Sequence, residues 1–175
     1  IATYAVYKNN KAVIYDTFAD IRQARWVRTY LEHRGITQFT VILSHWHLDH
    51  IAGNAVYCDS HIISNALTRA LLVQNKTKIE TGCSDGPPEI NPLILPDMTF
   101  DRTMTLHLED LRLELMTMDI HSRDGTLLYL PGDNLLLAGD TLEDTVTYIE
   151  EADHLAVHVN NLKKPWQMVK LAGEA

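Results

Sequence analysis

The chain has 175 residues, a net charge of −8, an apolar fraction of 46% and a charged fraction of 22%. That is the length of one domain able to bury its own core, with an ordinary globular composition. No apolar run comes near the roughly 18 residues of a membrane-spanning helix. An acidic surface also disfavours a phosphate-backbone partner. The expected partner is therefore a small-molecule substrate, with no nucleic acid and no membrane.

Lys8-Asn9-Asn10-Lys11 separates two short apolar runs, Ala5–Tyr7 and Ala12–Tyr15, and reads as the turn of a β-hairpin closed by Asp16. Asp20 is placed to cap a helix running to about Arg34. Ile21, Ala24, Val27 and Leu31 share one face of it, and Gly35 stops it. Arg22, Arg25 and Arg28 on this helix read as a solvated face. Thr40–Leu43 is a short buried strand. A strand at Ile62-Ile63, an N-cap at Ser64 and a helix over Ala66–Val73 follow.

Lys76–Pro96, rich in glycine and proline, reads as a long surface loop of the kind that borders active sites. Two hairpins come next. Thr103–Leu108 and Leu111–Met118 turn at Glu109-Asp110, and Thr126–Leu130 and Leu135–Ala138 turn at Pro131–Asn134. From Thr145 the chain is helical in character, with an interruption at Pro165. Helices do not alternate strictly with strands, so the expected fold is a mixed-sheet α/β or α+β layer fold. Cys58 and Cys83 form no C-x-x-C pair and read as free thiols in a reducing, cytoplasmic setting. No signal peptide is visible, although the opening at Ile1 keeps a processed or exported chain among the alternatives.

The chemistry concentrates in Ser44-His45-Trp46-His47-Leu48-Asp49-His50. Imidazole and carboxylate suit zinc, iron and manganese. At the end of an extended strand, residues two apart point the same way, so His45 and His47 can grip one ion. Once the chain turns, Asp49 and His50 can face a second. The helical zinc pattern H-E-x-x-H is absent.

His45-x-His47-x-Asp49-His50 after a short strand resembles the H-x-H-x-D-H pattern of the metallo-β-lactamase superfamily. Asp16 stands where that family has its first acid, His121 where it has its third-motif histidine, and Asp140 where it has its fourth-motif aspartate. The resemblance covers essentially the whole chain as a single domain, residues 1–175. It implies a four-layer αββα sandwich of two mixed β-sheets flanked by helices, incomplete at both termini.

It further implies that His45, His47 and His121 hold a first metal, Asp49 and His50 a second, and that Asp140 bridges the two. Zinc leads, with iron or manganese permitted. Asp49 and Asp140 are then the catalytic carboxylates, around a hydroxide that attacks an ester, thioester or lactone carbonyl. Asp16 reads as structural, fixing the motif loop. The branch implied is that of glyoxalase II and the lactonases. True β-lactamases of the superfamily lack an aspartate at the position of Asp140. Iron-dependent redox enzymes of this fold, such as persulfide dioxygenases, and a degenerate non-catalytic domain are the other readings.

The pattern also departs from the family. Its last histidine ligand has no counterpart at family spacing, because only His154 and His158 follow Asp140. Both read as helix-surface or packing residues. The expectation is a chain that continues beyond both ends in its natural form, with a weak second metal site in the sequence as it stands. Trp46 and His107 read as packing and ordinary strand residues. His61 reads as packing or as support for a ligand, and Asp119 and Asp124 as candidates to hydrogen-bond a ligand imidazole.

Overall fold

The computed structural model describes residues 2–84, 90–142, 148–149 and 152–165. Its first sheet is built from β1 (Tyr4–Lys8), β2 (Lys11–Tyr15), β3 (Gln38–Ile42), β4 (His61–Asn65) and β5 (Met98–Phe100), in that spatial order. β1 and β2 are the antiparallel hairpin, and Asn9 takes the left-handed turn conformation with φ 53°. The pairings from β2 through β5 are parallel. A second sheet, β6 (Thr103–Leu108), β7 (Leu111–Thr117), β8 (Thr126–Leu130) and β9 (Leu135–Leu137), is antiparallel throughout.

The alternation of side chains along each strand makes the layers. In β2 and β3, Ala12, Ile14 and Val41 face the helices α1 (Ile21–Glu32) and α3 (Ala66–Glu80). Val13, Tyr15 and Ile42 face the second sheet, where Leu113, Leu115, Leu128 and Leu130 meet them. These strands are apolar on both faces because both faces are covered. On the far side of the second sheet, Met118, Ile120 and Leu127 pack with Leu162, just after α4 (Leu155–Asn161). The result is the helix–sheet–sheet–helix stack expected from the resemblance, with the correction that only the first sheet is mixed, because hairpin connections make every described pairing of the second antiparallel.

Asp20 caps α1 through the Arg22 amide, as its position implied. Other local expectations need correction. Ser64 does not cap α3. It stays in the β4–β5 ladder, opposite Thr99, and Asn65 supplies the cap by accepting from the Leu67 amide. Asn65 is the better choice because its amide group also donates to the Asp101 carbonyl and to Thr117 Oγ1, tying the helix start to the sheet.

α3 does not end at Val73 but reaches Glu80. The polar run after Val73 hides its apolar period, yet Thr68, Leu72 and Ile79 form a buried stripe and Lys76 pairs with Glu80 one turn on. The loop therefore begins at Thr81, and Gly86, Pro87 and Pro88 lie outside the described residues. The three-residue β5 has no sequence signal, because so short an edge strand has no period to find.

Arg28 is not solvated. Its guanidinium bonds Asp59, Glu32 and the Val56 carbonyl and lies 5.0 Å from the Phe39 ring centre. The start of the C-terminal helical stretch at Thr145, and everything past Pro165, lie outside the described residues. Within them, a 3-10 turn at Ala152–His154 leads into α4. Both cysteines are free and exposed, and no helix among the described residues is long and apolar enough to cross a membrane.

Candidate metal centre

Strand direction decides where the site lies. The parallel strands β2 and β3 end at one edge of the first sheet, delivering Asp16 and the Ser44–His50 segment there. β7 and β9 are both antiparallel to β8, so they end at a common edge of the second sheet and deliver His121 and Asp140. The two edges are stitched together. The Thr126 amide, at the start of β8, donates to the Ser44 carbonyl (2.7 Å), and the Tyr15 hydroxyl donates to the Thr126 carbonyl (2.5 Å). Burial, with Asp16 and Asp140 nearby, holds the Tyr15 phenol well above its ordinary pKa, so it remains a donor.

Gly139 fits this seam for steric reasons. It sits at φ 54°, and a Cβ there would lie 2.9 Å from Ser44 Cβ. Only glycine lets the Asp140 turn come this close.

The structure brings all six sequence-derived residues to this edge. His45, His47 and His121 offer ligand atoms within 4.8 Å of one another, and so do His45, His50 and Asp140. His121 Nε2 and His47 Nδ1 are 3.2 Å apart. Two nitrogens each bonded to one tetrahedral zinc at 2.0–2.1 Å stand roughly 3.3 Å apart. His50 Nε2 lies 3.2 Å from Asp140 Oδ2 and 3.7 Å from Asp49 Oδ2. Asp49, with its side chain one-third exposed, is the more open of the two carboxylates.

The donor chemistry fits a cation. His45 is sealed from solvent, and its Nε2 has no hydrogen-bond partner among the described residues. Leaving such an atom unpaired costs about 1–3 kcal/mol, a cost that a coordinated ion removes. Burial pushes the His45 pKa well below 6.5, and the imidazoles of His50, His47 and His121 reinforce it, so the ring stays neutral with a lone pair to give. His121 Nδ1 lies 2.7 Å from the Tyr148 carbonyl, which can only accept. The proton therefore sits on Nδ1, and Nε2 is left for a metal.

His50 differs. Burial alone would lower its pKa, but hydrogen bonds to Asp140 and Asp16 outweigh it and raise the value to about 10. In turn, His50 holds the Asp140 carboxyl below the ordinary range. Metal binding at this end would replace a proton.

Asp16 is completely buried. Its Oδ1 accepts from the Ser44 amide (2.7 Å), and its Oδ2 accepts from His50 Nδ1 (2.8 Å). Its φ of 63° and that of Phe18, 67°, are sparsely populated conformations held by the packed motif loop. Trp46 packs against the helical-side core. His61 is exposed and pairs with Asp97, and His107 is an exposed strand residue.

Neither acid flanking His121 takes the role of holding its ring. Asp124 is buried against Thr68, and Asp119 faces His158 and His154. The carbonyl of Tyr148 fills that place, and a backbone acceptor leaves no signal in side-chain identity. Ser44 and Tyr15 are further supports that sequence reasoning does not single out. The one hint for Tyr15 is its place at the strand end beside Asp16.

The metallo-beta-lactamase superfamily profile matches residues 1–168, and the chain belongs to that family. Solved structures agree at the level of fold. The metallo-beta-lactamase from Pontibacter korlensis superposes with a TM-score of 0.73 at 18% identity, over 94% of this chain and 74% of that one. DIM-1 metallo-beta-lactamase gives 0.72 at 18% identity over 95% and 74%. A metallo-beta-lactamase family protein from Thermus thermophilus gives 0.68 at 16% identity over 95% and 65%. No curated protein matches significantly.

Proposed function

We propose that the chain is a metal-dependent hydrolase acting on an ester, thioester or lactone carbonyl. The observation that carries this reading is the buried, unpaired Nε2 of His45, facing a cluster of imidazoles and the Asp140 carboxylate. His45, His47 and His121 would hold one divalent ion, and Asp49 and His50 a second, with Asp140 between. Zinc is the first choice for this donor set, with iron or manganese as alternatives. Ions held there would supply a Lewis acid and a water acidified enough to deprotonate near neutral pH. Asp140 would orient the attacking water there. Asp49, the more open carboxylate, would carry a proton to the leaving group.

A second reading, hydrolysis of β-lactams, is favoured by the names of the structural neighbours. Their identities of 18% support the fold only, and Asp140 stands where the resemblance gives true β-lactamases no aspartate. Metal analysis followed by a panel of thioester, lactone and β-lactam substrates tests both. Thioester or lactone turnover that falls by about 100-fold or more in Asp140→Ala supports the first reading. Turnover restricted to β-lactams, or wild-type rates in Asp140→Ala with metal supplied, overturns it.

A further inference from the structure

Among the described residues, few side chains of α4 are buried. Leu155, Val157 and Val159 are about half exposed, whereas His158 and Asn161 are buried. Both buried side chains address one residue. His158 Nδ1 lies 3.0 Å from Asp119 Oδ1, an ion-pair distance without hydrogen-bond alignment, and Asn161 Nδ2 donates to the Asp119 carbonyl at 2.8 Å. His154 Nδ1 stands behind them, 3.8 Å from Asp119 Oδ2. A helix that only had to cover Met118 and Ile120 would gain more from apolar side chains, because burying imidazole and carboxamide is costly. Here the polar groups converge on a single point, two residues before His121.

The same C-terminal stretch reaches the loop a second time. The Tyr148 carbonyl, upstream of α4, holds His121 Nδ1 at 2.7 Å. The loop is also closed on itself by the Met118 amide donating to the Gly125 carbonyl (2.7 Å). The loop is then held from outside at two acids, Asp124, which accepts from Thr68 Oγ1 at 2.8 Å on the α3 side, and Asp119 on the α4 side.

We propose that His158 and Asn161 are positioning residues for His121, through Asp119. The proposal rests on the reading of His45, His47 and His121 as a metal centre. α4 sets the position of the loop, and the Tyr148 carbonyl then keeps the proton on His121 Nδ1 and the Nε2 lone pair toward His47. A group bonded directly to a ligand typically changes metal affinity by about 10–100-fold when removed, and the lower end of that range is expected for residues acting one step further out.

The test uses the full chain with His158→Ala, His158→Asn, Asn161→Ala and, as a control on the exposed face, Val157→Ala. Zinc affinity is measured by chelator competition. Long-range proton–nitrogen NMR of the zinc-free protein reads the tautomer of His121. His158→Ala and Asn161→Ala should each lose about tenfold or more in zinc affinity, with His121 passing from one Nδ1–H tautomer to a mixture. His158→Asn should recover most of both, because its amide nitrogen can take the place of Nδ1. Val157→Ala should match the wild type.

Unchanged zinc affinity and an unchanged tautomer in His158→Ala and Asn161→Ala, with only a lower melting temperature, would reduce α4 to a cover and overturn the proposal. If His158→Ala does not fold, His158→Asn and Asn161→Ala decide in the same way. A wild-type chain that binds no zinc sinks the metal-centre reading, while the His121 tautomer in the zinc-free variants still decides the positioning role.

Discussion

Replacing Asp16 by Asn should uncouple the fold from the metal centre. Asp16 offers two acceptors, one to the Ser44 amide at 2.7 Å and one to His50 Nδ1 at 2.8 Å, both away from water. A carboxamide has one acceptor and one donor. The Ser44 amide cannot give up its proton, so the amide oxygen must face it. The new NH2 group then faces His50, which has to accept at Nδ1 and keep its proton on Nε2. That is the atom 3.2 Å from Asp140 Oδ2, so its lone pair is lost to a metal. The expected cost is about 1.5–3 kcal/mol of stability for the lost charge-assisted bond and about 10–100-fold in affinity at the His50 end. Asp16→Ala leaves two buried donors unpaired, roughly 2–6 kcal/mol, and places Ala at φ 63°, about 1–2 kcal/mol more. Against a typical total of about 5–15 kcal/mol, that is near unfolding. Urea denaturation of the metal-free proteins and zinc titration measure the two effects. Wild-type zinc stoichiometry and affinity in Asp16→Asn would refute the argument.

Further outcomes follow from the same contacts. The His50 pKa is raised from 6.5 to about 10 in the folded chain, so its contribution is complete below 6.5 and is lost as pH climbs through about 10. Metal-free protein should melt progressively lower across that window, and His50→Gln should lack this part of the slope; identical slopes would refute it. Arg28→Ala removes a clamp on Asp59, Glu32 and Val56 and should cost about 1–2 kcal/mol in urea denaturation, with zinc affinity unchanged. Gly139→Ala forces a Cβ to 2.9 Å from Ser44 Cβ at a positive φ. It should cost at least about 1–2 kcal/mol and weaken zinc binding; a variant as stable as the wild type would show that the seam yields easily.

The sequence carried the site better than it carried the edges of elements. His45, His47, Asp49 and His50 were legible because one strand end and one turn place them without help from the rest of the chain. His121 and Asp140 were legible only through the family resemblance, since nothing local says that two strands of another sheet end beside them. The end of α3 was hidden because Lys76–Glu80 stabilises the last turn by charge rather than by apolar period. Arg28 reads as solvated because its partners Asp59 and Val56 come from a distant turn. The acceptor for His121 is a carbonyl, which every residue has.

Four of the six candidate ligands come from the first sheet and two from the second, so the register between the sheets determines whether they form one site. Apolar contact fills the space between the sheets, but it is non-directional and fixes no register at the scale of a coordination bond. Directional contacts do that, and they sit at the site's own edge. Tyr15 bonds the Thr126 carbonyl, and Thr126 bonds the Ser44 carbonyl beside His45. Gly139 closes against Ser44 just before Asp140. Thr126 opens β8, which pairs with both β7 and β9, the strands that lead to His121 and Asp140. Thr126 therefore transmits the position of the first sheet to both ligands of the second, and Asn65 Nδ2 donating to Thr117 Oγ1 (2.6 Å) adds a second tie on the β7 side. A buried polar seam placed there, with apolar packing between the sheets and surface ion pairs, Lys8–Asp110 and Lys11–Glu109, at the opposite edge, is what a site spanning two sheets requires.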